Sequence, residues 1–433
     1  VEAGATRATL SGTLADPLRS RDFDLALQIT GENAADLFPL TGIALLPSPP
    51  YDLRGRLGHG GDRWTFRDFH GRMGGSDLAG DLTWDKRGPR PLLTARFVSR
   101  ELRFADLAGF IGARTPPPPS AARVIPDVPL DISRLAAMDA RVDFIGQRLV
   151  TDKLPLDDFH ARFVLDDRVL VVEPLRFGSG SGDVQLKLRI DARDAPVRIA
   201  SNARVSRVPL APLTAGAAAR LGEANLTRGA IGGTIELKGT GMSLRDMLAS
   251  ADGSVSLGME GGQVSVLLVE LLGLDVAESL GYLVAGDSPV PVRCLIGDFV
   301  VKQGDMQART LVFDTEDTVV RGEGGVNLRD ESLDINLEPA PKDFSPLVLR
   351  APLEIKGTLK DPAPRVQKRG LIGRGIAAAV LALVAPPAAI VAFIEPGLGE
   401  DSACKALIER MAARSAAPAT TRALVPKSGT TPR

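Results

Sequence analysis

Apolar and polar residues alternate strictly through much of the chain, which is the period of a strand with one face buried and the other wet. Phe23, Leu25, Leu27 and Ile29 alternate with Asp24, Ala26 and Gln28, and Val184, Leu186, Leu188 and Ile190 alternate with Gln185, Lys187 and Arg189. Shorter runs keep the same period at Phe163 and Leu165, Ile235 and Leu237, Val255, Leu257 and Met259, Val326 and Leu328, Leu333, Ile335 and Leu337, and Leu353 and Ile355. Gly, Asp, Asn and Pro bound most of these runs, and the short gaps between them favour antiparallel neighbours. The pattern predicts a mainly β fold: a long curved antiparallel sheet of repeated units forming a hydrophobic groove, with a few short helices at the C-terminal end.

A weak repeat supports this reading. An aromatic residue, a glycine-rich turn and an alternating strand ending in Asp recur from Phe69 to Asp85, from Phe177 to Asp191, and from Phe313 through Gly322, Gly324 and Gly325 to Asp330. The wide spacing of the three phenylalanines makes each unit a meander of several strands. Residues 114–120, with four consecutive prolines, predict extended polyproline geometry between two β-rich blocks. The expected organisation is a β block over 1–114, a Pro-rich linker over 115–130, a second β block over 131–370, an apolar helical cap or membrane-associated segment over 371–413 and a disordered tail over 414–433. Val264 to Leu283, apolar but broken by Glu270, Asp275 and Glu278, predicts a docked helix.

Ile376 to Ile394 is uncharged, with Lys368, Arg369 and Arg374 before it. About 20 apolar residues span a bilayer. Pro386 and Pro387 sit in the middle, where they break or kink a helix. Three readings stay open: a span, an interfacial pair of short helices, or a cap over the end of a sheet.

Composition narrows the function classes. Lys and Arg number 52 against 53 Asp and Glu, for a net charge of −1, so no strong field steers nucleic acid toward the chain. Aromatic residues make up 4%, which leaves few rings for stacking on bases or sugars and points to an aliphatic interior. His59, His70 and His160 have no partner at metal-ligand spacing. The glycine clusters at 178–182 and 322–325 lead into strand patterns where a phosphate cradle leads into a helix, so both are read as turns. Asp157–Asp158 and Asp166–Asp167 lie between alternating runs, where Asp is an ordinary turn former. No residue is nominated as a catalyst, a metal ligand or a cofactor site. Cys294 and Cys404 are read either as two small inert buried side chains or as a disulfide that fastens the C-terminal segment to the sheet in an oxidising compartment.

The segment Pro291 to Met306, then Leu311 to Thr315, Leu333 to Pro339, Pro341 to Ser345 and Ile355 to Leu359, resembles the C-terminal region of AsmA family proteins. The ending resembles it too, at Val384 to Pro386, Glu395 to Gly397 and Asp401 to Cys404, and the upstream units at Leu156 to Asp158 and Pro174 to Gly178 are similar to the family's less specific repeats. The resemblance implies a non-enzymatic bacterial envelope protein in the periplasm, held in the inner membrane by an N-terminal helix that is missing from this chain. It implies a bridge-type carrier that conducts phospholipid between inner and outer membranes and supports outer-membrane biogenesis.

Acyl chains in an aliphatic trough gain about 0.8 kcal/mol per methylene, without polar recognition. From alternation, the expected lining is Phe163, Leu165, Val184, Leu186, Leu188, Ile190, Leu237, Leu257, Leu328 and Ile335. The expected partners are phospholipid acyl chains, the inner and outer membranes and an envelope protein, with no nucleic acid. The competing reading is a scaffold or assembly factor whose apolar face docks outer-membrane proteins.

Overall fold

The computed structural model describes residues 2–3, 5–12, 22–43, 45, 47–106, 123–127, 132–151, 156–212, 227–265, 289–342, 352–366 and 399–416. The strands are β1 (Glu2–Ala3), β2 (Thr6–Ser11), β3 (Phe23–Gly31), β4 (Tyr51–Gly60), β5 (Arg63–Met73), β6 (Ser76–Asp85) and β7 (Leu92–Arg103). They continue with β8 (Asp139–Val150), β9 (Leu156–Asp166), β10 (Val169–Ser179), β11 (Gly182–Asp191), β12 (Val197–Pro209), β13 (Ala230–Gly241) and β14 (Asp252–Glu260). The last are β15 (Gln263–Ser265), β16 (Pro289–Lys302), β17 (Asp305–Thr315), β18 (Thr318–Asn327), β19 (Ser332–Pro341), β20 (Leu353–Thr358) and β21 (Pro362–Val366). Among the described residues the α-helices are α1 (Phe38–Thr41), α2 (Ile132–Ala137), α3 (Leu244–Ala249) and α4 (Cys404–Ala416).

Apart from β15, which pairs onto the first residues of β16, the strands form one open curled sheet of 20 in chain order. Alternation sets this architecture, because each strand has one apolar face and its sequence neighbour is the nearest surface to pair with. Neighbours are antiparallel except β7 and β8, which run parallel from Leu92↔Asp139 to Arg103↔Val150. A parallel pair needs a crossover. The chain between them holds the Pro-rich stretch, so this stretch separates two bonded strands of a single ladder.

Strand ends fall on two rims. One, the first rim, carries the β4–β5, β6–β7, β9–β10, β11–β12 and β18–β19 connections; the other, the second rim, carries β3–β4, β5–β6, β10–β11 and β17–β18. The three repeat copies fall on hairpins β5–β6, β10–β11 and β17–β18, with Phe69, Phe177 and Phe313 on the first strand of each. Asp85 and Asp191, which end the first two copies, each accept from an arginine two residues on, Arg87 and Arg193, and these bonds hold both carboxyls below the usual carboxylate range.

Several expectations change. Gly322, Gly324 and Gly325 lie inside β18 and form no turn. A Cβ on Gly322 would stand 2.4 Å from Leu311 Cδ2, and one on Gly325 would stand 1.9 Å from the Met306 carbonyl oxygen. Close approach of neighbouring strands, not chain reversal, is what these glycines permit. Val264, expected to open a helix, lies in β15. Helices occur between strands as well as at the C-terminal end, and α4 runs to Ala416, past the expected start of the tail. Residues 114–120, 266–288, 376–394 and 417–433, with the readings made on them, lie outside the described residues.

Candidate functional site

Directly opposed residues in a ladder point to the same side of a sheet. The register therefore traces rows along the apolar face. One row runs Phe163, Val172, Leu188, Ser201, Leu237, Gly253, Val301, Met306, Val326, Leu333. Beside it, Phe177 opposes Val184, Val184 opposes Val205, Gly233 opposes Leu257, and Leu257 opposes Gly297. Leu165, Leu170, Ile190 and Ile199 make a third row, and Ile335 stands between Gly324 and Ile355. Nine of the ten residues expected to line the groove thus lie on strands, on one shared face. Leu328 does not: β18 ends at Asn327, and Leu328 sits in the following turn with its N–H donated to the Gly304 carbonyl. The apolar-polar alternation runs past the strand end here, because the Asp330 carboxylate caps the Ser332 N–H and turns the chain.

Burial along this face is uneven. Leu165 is 6% exposed and packs with Trp84, Leu93, Met138 and Ala140, whereas Phe163, Val184, Leu186, Leu188, Ile190, Leu237, Leu257 and Ile335 are half-buried. Two segments of the chain's own cover part of it. The β3–β4 connection starts and ends on the second rim, with Asn33 Oδ1 accepting from the Ser48 N–H at its base, and it reaches over the apolar face to set Ile43 and Leu45 against Trp84, Leu93 and Trp64. Before β8, α2 places Leu135 against both the Leu165 cluster and the Ala192, Val197 and Met247 cluster. Upstream of α2, the N–H groups of Val124 and Ile125 donate to the buried Glu331 carboxylate at 2.7 and 2.9 Å, which ties this connection to the β18–β19 turn. Sequence reasoning did not find these covers. The apolar residues Ile43, Leu45 and Leu135 sit in short irregular segments with no period to read.

The opposite face is mainly polar and charged, with apolar pairs at Val98–Ile145 and Val164–Val171 and an apolar patch at its C-terminal part. There α4 lays Leu407, Ile408 and Met411 over Ile296 and Val312, and Gly258 leaves room for Met411. Cys294 and Cys404 are joined in a disulfide with a Cα separation of 5.9 Å, so the fastening reading holds over the reading of two inert thiols. Asp314, fully buried beside them, accepts from Lys342 Nζ at 2.7 Å and from the Ser402 N–H at 2.7 Å. Cys294, Cys404 and Asp314 form a group compact enough for a metal, but both sulfurs are committed to each other.

Other charged groups on the polar face read as structural pairs. His160 and Arg162 bond Asp143; burial raises the Asp143 carboxyl, and these bonds outweigh it and hold it below the usual carboxylate range. A cleft of about 530 Å³ near the first rim holds Arg87 paired with Asp85 and Arg90 paired with Asp139. Asp166 ends β9 and Asp167 begins a turn, as expected, while Asp157 and Asp158 lie within β9. The serine–carboxylate pairs among the described residues, such as Ser76 with Asp106 and Ser256 with Asp298, join neighbouring segments of the fold, and the concentrated chemistry is the apolar face itself.

A model of the AsmA family matches residues 1–311. The AsmA family protein YhjG of Escherichia coli (strain K12) is 31% identical over 436 aligned residues, covering 94% of this chain and 62% of the relative, so the chain spans about three fifths of that protein's length. No solved structure matches. A family match over well more than half of the sequence, and that identity across nearly all of it, agree with the motifs from Pro291 to Cys404: the chain belongs to the AsmA family.

Proposed function

We propose that this protein is a non-enzymatic component of the bacterial cell envelope that holds phospholipid by its acyl chains along the apolar face of the sheet and carries it between inner and outer membranes. One observation carries the reading: rows of largely apolar residues that share a face and pass from strand to strand through the ladder, many of them half-buried, with no second layer over most of their length among the described residues. A single-layer sheet leaves such a wall in need of cover. Acyl chains supply it without polar contacts, and their headgroups stay in water at the rims. Strands cross the trough and neighbours bond along it, so a lipid moving lengthwise meets similar aliphatic surface at each step.

Two measurements test this. Mass spectrometry of the purified chain finds co-purified phospholipid; a clean protein, or one that retains a polypeptide in its place, overturns the reading in favour of a scaffold. A photoreactive residue at Leu188 crosslinks lipid in cells, and Leu188→Asp in a chain crosslinked from Leu237 lowers the yield. Equal yields with and without the charge count against a continuous path.

A further inference from the structure

The trough face changes character between β9 and β11. On β7 it carries Leu93, Ala95, Phe97 and Ser99, of which Phe97 alone is half-buried and the rest are buried. On β8, among Ala140, Val142, Phe144 and Gly146, Val142 alone is half-buried, and on β9, among Phe159, Ala161, Phe163 and Leu165, Phe163 alone. On β11 the corresponding Val184, Leu186, Leu188 and Ile190 are all half-buried. So are Ile199, Ser201, Ala203 and Val205 on β12, and Gly233, Ile235, Leu237 and Gly239 on β13. One register row, through Phe97, Phe144, Ala161, Leu175, Leu186 and Ala203, passes from the first stretch into the second, so the two are parts of one wall.

Phenylalanine rings make the narrow part. Aromatic residues are 4% of the chain, yet seven of its 15 phenylalanines lie in one cluster on β5–β10. Phe66 stacks on Phe69 with ring centroids 5.0 Å apart, and Phe69, Phe97, Phe144 and Phe159 follow edge to face at 6.0, 5.8 and 5.6 Å. Gly80 separates Phe69 from Phe97 in the register and, having no side chain, lets their rings meet above it. Toward the second rim Leu102, Leu149 and Leu156 join the rings. Toward the first rim Trp84, Leu93, Ala140 and Leu165 pack into a second buried cluster. Phe97 and Phe163 pack against the first cluster and Val142 against the second, so the line they form is the seam between the two.

Rows on one face are two residues apart, about 7 Å along a strand. Carbons in contact sit about 4 Å apart, so one acyl chain between two walls takes about 8 Å and two abreast about 12 Å. A seam one row wide holds one chain, and four open rows hold two. We propose that β7–β9 form a neck that takes single acyl chains, and that two-chain phospholipid resides beyond it on β11–β13. This rests on the lipid-groove reading and adds to it a place for the lipid and a limit on its width.

The wild-type chain tests this without a variant. Diacyl phosphatidylglycerol and its single-chain lyso form, each with a diazirine in the acyl chain, are supplied from vesicles, irradiated and mapped by peptide mass spectrometry. The diacyl probe is expected to label Leu186, Leu188, Ile235 and Leu237. The lyso probe is expected to label Phe97, Val142 and Phe163 as well, with a ratio of neck to wall adducts severalfold higher. Equal ratios for the two probes overturn the proposal, as does a lyso probe that stays off the neck. In both cases the groove reading stands, whereas adducts on neither stretch from either probe remove both. Phe97→Ala, which takes one ring out of the seam, is expected to bring diacyl adducts onto Val142 and Phe163. A variant that keeps its labelling on β11–β13, and so is folded, yet still excludes diacyl lipid from the neck contradicts the role given to the rings.

Discussion

The sulfur of Cys404, at the start of α4, is bonded to that of Cys294 in β16, 110 positions earlier, and beside the bond Asp314 receives the ammonium of Lys342. The same ammonium reaches Asp401, and Arg414 closes the far end of the helix on the buried Asp298. The C-terminal segment is therefore held on the face opposite the trough at three kinds of contact: a covalent bond, charged hydrogen bonds and the apolar contact of Met411 with the sheet.

Cys404→Ser removes the bond but leaves the ladder intact. Loss of a disulfide closing so long a loop costs about 2–5 kcal/mol. Hydrogen exchange is expected to rise in peptides from 404–416 and from β16 and to stay unchanged in β9–β12. Uniform loss of protection would show that the helix holds the whole sheet and not its own strands alone.

Lys342→Met leaves the Asp314 carboxylate buried with the Ser402 N–H and a more distant Arg293. Breaking a buried pair on one side destabilises by about 3–5 kcal/mol, while replacing both partners with apolar residues is often nearly neutral. Chemical denaturation is expected to show Lys342→Met as the weaker protein and to recover much of the loss in Lys342→Met with Asp314→Leu. A double variant worse than the single one contradicts this account.

Acid is expected to loosen the same segment. The bond from Lys342, with the nearby charges of Lys342 and Arg293, holds the Asp401 carboxyl below the usual carboxylate range. A group lowered on folding contributes stability that is present at neutral pH and is lost as pH falls through its folded value, so the effect sets in below about pH 4. Limited proteolysis across a pH series reads it: cleavage near 400 should rise at the acid end in the wild type and be pH-independent in Asp401→Asn.

The two faces of one strand give the cleanest comparison. Leu186→Lys puts a charge into the apolar row between Leu175 and Ala203, whereas Gln185→Lys, one residue earlier, puts it on the exposed face. An unpaired charge in apolar surroundings is costly enough that bound phospholipid is expected to fall about tenfold or more in the first variant. The second should retain wild-type loading. Similar losses in both would place the lipid elsewhere.

Much of this fold can be read from period alone. Val184 to Ile190 alternate without interruption, and a one-residue slip would turn the whole set to water, so their face is decided before any contact is known. Where both faces of a strand are covered, period fails. Cys294 and Ile296 face α4 while Leu295 and Phe299 face the trough, and Val292 to Val301 reads as a nearly continuous apolar run that hides which is which. Leu328 shows the opposite failure: its alternation is genuine, but the turn chemistry of Asp330 and Ser332 ends the strand first. The glycines of β18 carry a close-packing role that resembles turn punctuation in sequence. Loop and helix covers such as Ile43 and Leu135 depend on contacts across many strands, and no local pattern encodes them.

The in-order ladder has a consequence for scale. Each strand adds about 4.8 Å in the hydrogen-bonding direction and leaves the cross-section unchanged. Reach is then a matter of how many hairpins a gene encodes: duplicating one unit lengthens the trough by about 10 Å at no cost to its wall chemistry, and deleting one shortens it by as much. A protein built this way has its length set by counting strands, much as a ladder is cut to a wall.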